Sequence, residues 1–165
     1  MKFLEINIGR TKKRQVLHVI LLVMMALTVA SFFIHSLMPP EVSREEIDGA
    51  AGVVGSVIPE SSGTGSFIIS NLSAIAHLFE YGLLGAQCAL YVFIFVGKRR
   101  AATLLSFGLV HMIALLDETL QIFSGRVSDV ADIWLDIIGY ALAFAAVTAV
   151  ALLIRGIKNK EKKNG

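Results

Sequence analysis

The sequence predicts an all-α fold: a four-transmembrane-helix bundle with both termini cytoplasmic. Three observations predict it. Of the 165 residues, 55% are apolar and only 17% charged. Four apolar runs, at about 16–37, 71–96, 101–123 and 132–154, approach or exceed the roughly 20 residues that cross a bilayer. They lack the alternation of barrel strands, and backbone groups in lipid must be satisfied within their own segment, so the runs are expected to be helices. Finally, Lys and Arg gather at one end. Lys2, Arg10, Lys12, Lys13 and Arg14 precede the first run, Lys98, Arg99 and Arg100 follow the second, and Arg155, Lys158, Lys160, Lys162 and Lys163 close the chain. Only Arg44 and Arg126 fall on the other side, and bases in short loops mark the cytoplasmic side. The net charge of +2 is thereby explained by insertion, with no nucleic-acid partner implied.

Residues 1–165 are expected to form a single integral membrane domain. The first run competes with a secretory signal peptide, but Thr28-Val29-Ala30 is a poor cleavage site and the segment is read as an uncleaved anchor. Met38-Pro39-Pro40 stops it, because proline lacks the backbone donor and disfavours helical geometry before it. From Glu41 to Ser66 the chain does not span. Ser43 and Glu46 have capping-box spacing, and Ile47, Ala50, Ala51, Val54, Val57 and Ile58 recur at helical spacing. A short interfacial helix in this first outer loop and a loop with a weak apolar stripe fit equally. A turn-rich SSGTGS linker follows, with Asn71 as the expected N-cap of the second span. The lone Cys88 excludes an intrachain disulfide.

This topology brings the polar residues together at the outer end. On the second span His77, Glu80, Tyr81 and Leu84 share one helical face, and on the fourth Asp132, Asp136 and Gly139 do the same. Gly139 leaves room for close helix packing. On the third span Asp117 and Gln121 are four apart and Glu118 and Gln121 three. Being consecutive, Asp117 and Glu118 point about 100° apart, so one is expected to line a cavity and the other to meet the headgroup region. Arg126, after Gly125, is the one base near these acids and is read as their ion-pair partner or a phosphate clamp. An ionisable group beside a span is a functional candidate by default.

The segments HLFEYGLLG at 77–85, DETLQ at 117–121, GR at 125–126 and DIWLDIIG at 132–139, in this order, resemble the VanZ-like family of membrane proteins, named for a teicoplanin-resistance accessory protein. Residues 1–66 lie outside the recognised pattern. The resemblance implies association with glycopeptide or lipoglycopeptide resistance and a multi-pass place in the plasma membrane of a bacterium. It brings no reaction with it. The motif residues carried over are His77, Glu80, Tyr81, Asp117, Glu118, Gln121, Arg126, Asp132, Asp136 and Gly139.

Two functions fit. In the first, the outward-facing polar site binds an envelope lipid or a lipid-linked ligand, such as a cell-wall precursor or a lipoglycopeptide, with Tyr81, Glu118, Gln121, Arg126 and Asp136 as binding residues. The alternative is a membrane-embedded hydrolase or transferase acting on such a precursor or a phospholipid headgroup, with His77, Glu80, Asp117 and Asp132 as acid and base groups. Transport is less favoured, because the charges sit at one end rather than near the midplane. No cofactor is compelled. A divalent cation would suit the oxygen-rich set with its one imidazole, although the paired Glu-x-x-His motifs of di-metal bundles are missing. There is no phosphate loop, Cys cluster or nucleophile elbow. His111 is a weaker candidate supporting the third-span acids, His18 and His35 read as interfacial residues, Asp129 as a solvated turn residue and Trp134 as an aromatic-belt anchor.

Overall fold

The computed structural model describes residues 6–9 and 11–164, with side chains to residue 161. Lys2 and Arg10, two of the bases at the N-terminus, lie outside the described residues. The described residues form six helices: α1 (Lys12–Ser36), α2 (Pro40–Val57), α3 (Gly63–Ser70), α4 (Leu72–Phe95), α5 (Arg99–Phe123) and α6 (Val130–Asn164). By length and composition α1, α4, α5 and α6 can each cross a membrane. Among the described residues there is no strand, only an isolated bridge between Ile6 and Val96.

Helices cover all four apolar runs, the first three within a few residues of their predicted limits and the fourth running on to Asn164 rather than ending near 154, and the surprises lie between them. Helix α1 ends at Ser36, and α2 begins immediately after Pro39 with Pro40 in its first turn, where a missing N–H costs nothing. The start is thus set by proline, not by the Ser43–Glu46 capping box that the spacing predicts. The SSGTGS stretch is also not a linker. Ser62 caps α3 by accepting from the Gly65 N–H at 3.0 Å, and a Cβ at Gly65 would sit 2.3 Å from the Pro59 carbonyl oxygen. Asn71 occupies the N-cap position of α4 but makes no side-chain cap there; its amide donates back to the Phe67 carbonyl at 2.8 Å, finishing α3.

Helices α4 and α6 pack closest, and glycine is the reason. A Cβ at Gly139 would lie 2.3 Å from the Leu78 carbonyl oxygen, and one at Gly85 would lie 2.3 Å from that of Tyr140. Without side chains the backbones approach directly, as small residues allow between membrane helices. Around this seam Phe32, Tyr81, Leu84, Val110, Tyr140 and Phe144 form the core. Phe107 meets Tyr140 edge-on at 5.0 Å, in the geometry aromatic pairs prefer. Most other apolar side chains point outward, Leu104 with 75% of its surface exposed, as suits helices surrounded by lipid.

The α5–α6 connection is a glycine-terminated helix end. Gly125 has φ +80°, Arg126 N–H donates to the Gln121 carbonyl at 2.9 Å and Gly125 N–H to that of Ile122 at 3.1 Å. That pair of bonds is a Schellman motif, which needs the left-handed conformation glycine adopts freely. It reverses the chain within a few residues and fixes where Arg126 leaves the bundle. At the opposite end Asn7 N–H bonds the Phe95 carbonyl at 2.7 Å, and Arg14 donates to that of Ile94 at 2.7 Å. The N-terminal segment and the α4–α5 turn therefore share an end, away from the acids.

Candidate functional site

The polar residues form a floor and a mouth. On the floor, the glycine seam brings α4 against α6 so that His77 Nδ1 lies 2.9 Å from Asp136 Oδ1. Asp132, one turn earlier on α6, has Oδ2 3.9 Å from His77 Nε2. From α5, Asp117 accepts from Ser36 Oγ at the end of α1 and from Gln121 Nε2 at 3.3 Å. The same Gln121 nitrogen donates to Glu118 Oε1 at 3.2 Å. Asp117, Glu118, Gln121 and Asp136 are all buried, Asp136 completely.

Half of the expected division between Asp117 and Glu118 is corrected. Asp117 does line the cleft, but Glu118 is buried rather than at the headgroups, and Gln121, one turn later, donates to both. Glu118 also holds the following turn, its Oε2 accepting from Ser128 Oγ at 2.6 Å and Asp129 N–H at 3.0 Å. Asp129 does more than solvate that turn: its Oδ1 accepts from Ala131 N–H at 2.8 Å, the pattern of an N-cap for α6.

The mouth is where sequence reasoning fell short. Glu80 does not pair with His77. It faces α1, where Glu80 Oε1 lies 3.4 Å from His35 Nδ1, while the other nitrogen of that ring is 2.5 Å from Glu46 Oε2 on α2. His35 thus joins three helices rather than standing alone at an interface. Arg126 is a second correction. No carboxylate among the described residues lies within 4.0 Å of its guanidinium; Nη1 donates to the His35 carbonyl at 3.2 Å. The Schellman turn aims it at the end of α1, not at the acids of α6.

Floor and mouth border a cleft of about 260 Å³. Its polar side carries His35, His77, Glu80, Asp117, Gln121 and Arg126, and its apolar side Phe32, Ile47, Ala50, Leu72 and Ile75. Tyr81 lies behind this wall, fully buried and stacked on Phe32 with ring centres 4.7 Å apart. His111 turns outward and bonds only the Phe107 carbonyl, at 2.6 Å, so it does not support the third-span acids. His18 packs against Tyr91 and Phe95, and Trp134 is exposed, as a belt residue would be. Sequence reasoning missed Ser36, Glu46 and the part His35 plays. The available signal was a His-Ser pair two residues before the Pro-Pro stop, at the same end as every other candidate.

Chemically, His77 can hold a proton between two carboxylate-bearing positions of α6. It also meets two sets of oxygen donors, Glu118 with Asp132 and Asp117 with Asp136, each set with one donor atom per residue within 4.8 Å of the others.

The model of the VanZ/LLP1 family matches residues 15–153, most of the chain. The chain belongs to the VanZ/LLP1 family. The VanZ/LLP1 match begins within α1, so the helix that supplies His35 and Ser36 is part of the family's domain although it lies outside the short motifs. No curated protein and no solved structure matches the chain.

Proposed function

We propose that the protein acts in the plasma membrane of a bacterium as a VanZ-type glycopeptide-tolerance factor, its polar cleft facing outside and receiving the anionic headgroup of an envelope lipid or lipid-linked ligand. Cell-wall precursors and lipoglycopeptides both carry that chemistry. The observation that carries the reading is Arg126: a half-buried guanidinium at the edge of a cleft, held by a backbone carbonyl and left without a carboxylate. Arginine presents a planar fork of donors that fits phosphate and carboxylate groups. The cleft's apolar side suits the start of a lipid tail, and α2 beside it would lie at the membrane interface. The outward orientation follows from the bases gathered at the far end, and protease-accessible tags on either terminus of intact cells would reverse it.

The test is tolerance per molecule of inserted protein. Arg126→Gln, which keeps length and polarity but removes the charge, is expected to abolish glycopeptide tolerance while membrane abundance stays within about twofold. Full tolerance at equal abundance would sink the reading.

A second reading, a hydrolase or transferase on the same class of ligand, has one observation of its own. The bond of His77 to Asp136 is that of a base held in orientation by a buried acid, the supporting half of a catalytic triad. With no nucleophile beside it, His77 would activate a water or an acceptor hydroxyl. Release of a labelled headgroup from a lipid-linked precursor by purified protein, lost in His77→Gln, would favour this reading; no release by wild type would exclude it.

A further inference from the structure

The floor beneath the cleft gathers more carboxyl groups than nearby bases pair. Asp117, Glu118 and Asp136 keep 4% or less of their surface exposed, and no Lys or Arg among the described residues pairs with any of them. Buried carboxylates persist when they are paired, hydrogen-bonded or coordinated to a metal. Hydrogen bonds account for Glu118, whose Oε2 already accepts two. They do not account for Asp136: fully buried, it uses Oδ1 for His77, while Oδ2 has no hydrogen-bond partner among the described residues.

We propose that His77, Asp117 and Asp136 bind one divalent transition-metal ion, Zn²⁺ or Mn²⁺ by the chemistry of the donors. One donor atom from each lies within 4.8 Å of the others, and ligands about 2.0–2.2 Å from a shared ion stand roughly 3–4.4 Å apart. Only a small contraction closes the set. The unpartnered Oδ2 gives Asp136 a free lone pair. Asp117 accepts one hydrogen bond on each oxygen, from Ser36 and Gln121, so each retains a second lone pair. Donors of this kind orient a ligating carboxylate. The imidazole suits Zn²⁺ and the carboxylates suit Mn²⁺, and two carboxylates match the ion's charge. The alternative set through Glu118 and Asp132 is less suited, since Glu118 already accepts three hydrogen bonds and Asp132 is only partly buried.

The ion needs no lipid to bind, so this site and the headgroup reading fail separately: uptake of Zn²⁺ by a protein whose tolerance ignores Arg126 would keep one and remove the other. The test uses full-length protein in detergent, its affinity tag removed, stripped with chelator and dialysed against ZnCl₂ or MnCl₂ alone. Wild type is expected to retain one ion per chain. Asp136→Asn and His77→Gln should weaken retention about tenfold or more, and Glu80→Gln should match wild type. Equal retention by wild type and Asp136→Asn overturns the site, as does loss in Asp132→Asn with retention in Asp136→Asn. Zinc X-ray absorption on wild type needs no variant to fold: scattering from one imidazole with otherwise oxygen ligands is expected, and a shell without imidazole overturns the assignment.

Discussion

The two ends of the bundle treat charge in opposite ways. At the basic end, cations rest on backbone carbonyls and aromatic faces. Arg14 donates to the carbonyls of Ile94 and Asn7, Arg99 donates to that of Phe93 and lies 4.5 Å from its ring, and Arg155 stands 5.7 Å from the same ring. Helix C-termini and ring faces are electronegative, so a flexible cation satisfies them while its head stays near solvent. At the acidic end the side chains are short, buried and held by one another. A short carboxylate cannot reach back to water as lysine does, so every helix around it must supply a partner in the right place. One end tolerates sequence change; the other depends on register.

That contrast predicts an order of effects. The largest belongs to the seam that sets the register. Gly139→Val places side-chain carbons against the Leu78 carbonyl, which a Cβ alone would approach to 2.3 Å, and is expected to remove folded protein from the membrane; wild-type abundance and thermal unfolding in detergent would contradict it. Next comes Ser36→Ala, which takes a donor from buried Asp117. Its expected cost is about 1–3 kcal/mol, read as a lowered Tm, and an unchanged Tm would mean that Gln121 alone suffices. At the basic end Arg99→Gln is expected to cost only about 0.5–1 kcal/mol, with the same assay; a larger loss than Ser36→Ala would erase the contrast between the ends. The smallest effect is Leu104→Ala. Its side chain is 75% exposed, so the change should stay within about 0.5 kcal/mol, read as an unchanged Tm in the same assay.

Where the sequence was legible, local periodicity carried the signal. Gly139 at helical spacing from Asp132 and Asp136 announced both the face of α6 and the reason it could pack tightly, and the four spans were visible as apolar runs. The contribution of α1 was not legible. Ser36 meets Asp117 across a separation of 81 residues while its hydroxyl also lies 2.7 Å from the Phe32 carbonyl of its own helix, and nothing within an apolar helix announces that such a serine reaches a distant acid as well. The partner of Glu80 was not legible for a similar reason: two residues on one helical face still diverge enough that His77 meets α6 while Glu80 meets α1. The proline start of α2 was hidden by a plausible capping box three residues later, since both signals are short and only one can set the boundary.

The seam between α4 and α6 also imposes an order on synthesis. His77 and Asp136 are 59 residues apart, with all of α5 between them. At about 5–20 residues per second, α4 leaves the ribosome roughly 3–12 s before the residue that completes its polar contact. During that interval the backbone strip at Gly82 and Gly85 stands uncovered and His77 lacks its acid. The newborn α4 is therefore a guest of whatever shelters it until α6 arrives to cover its glycines and meet His77.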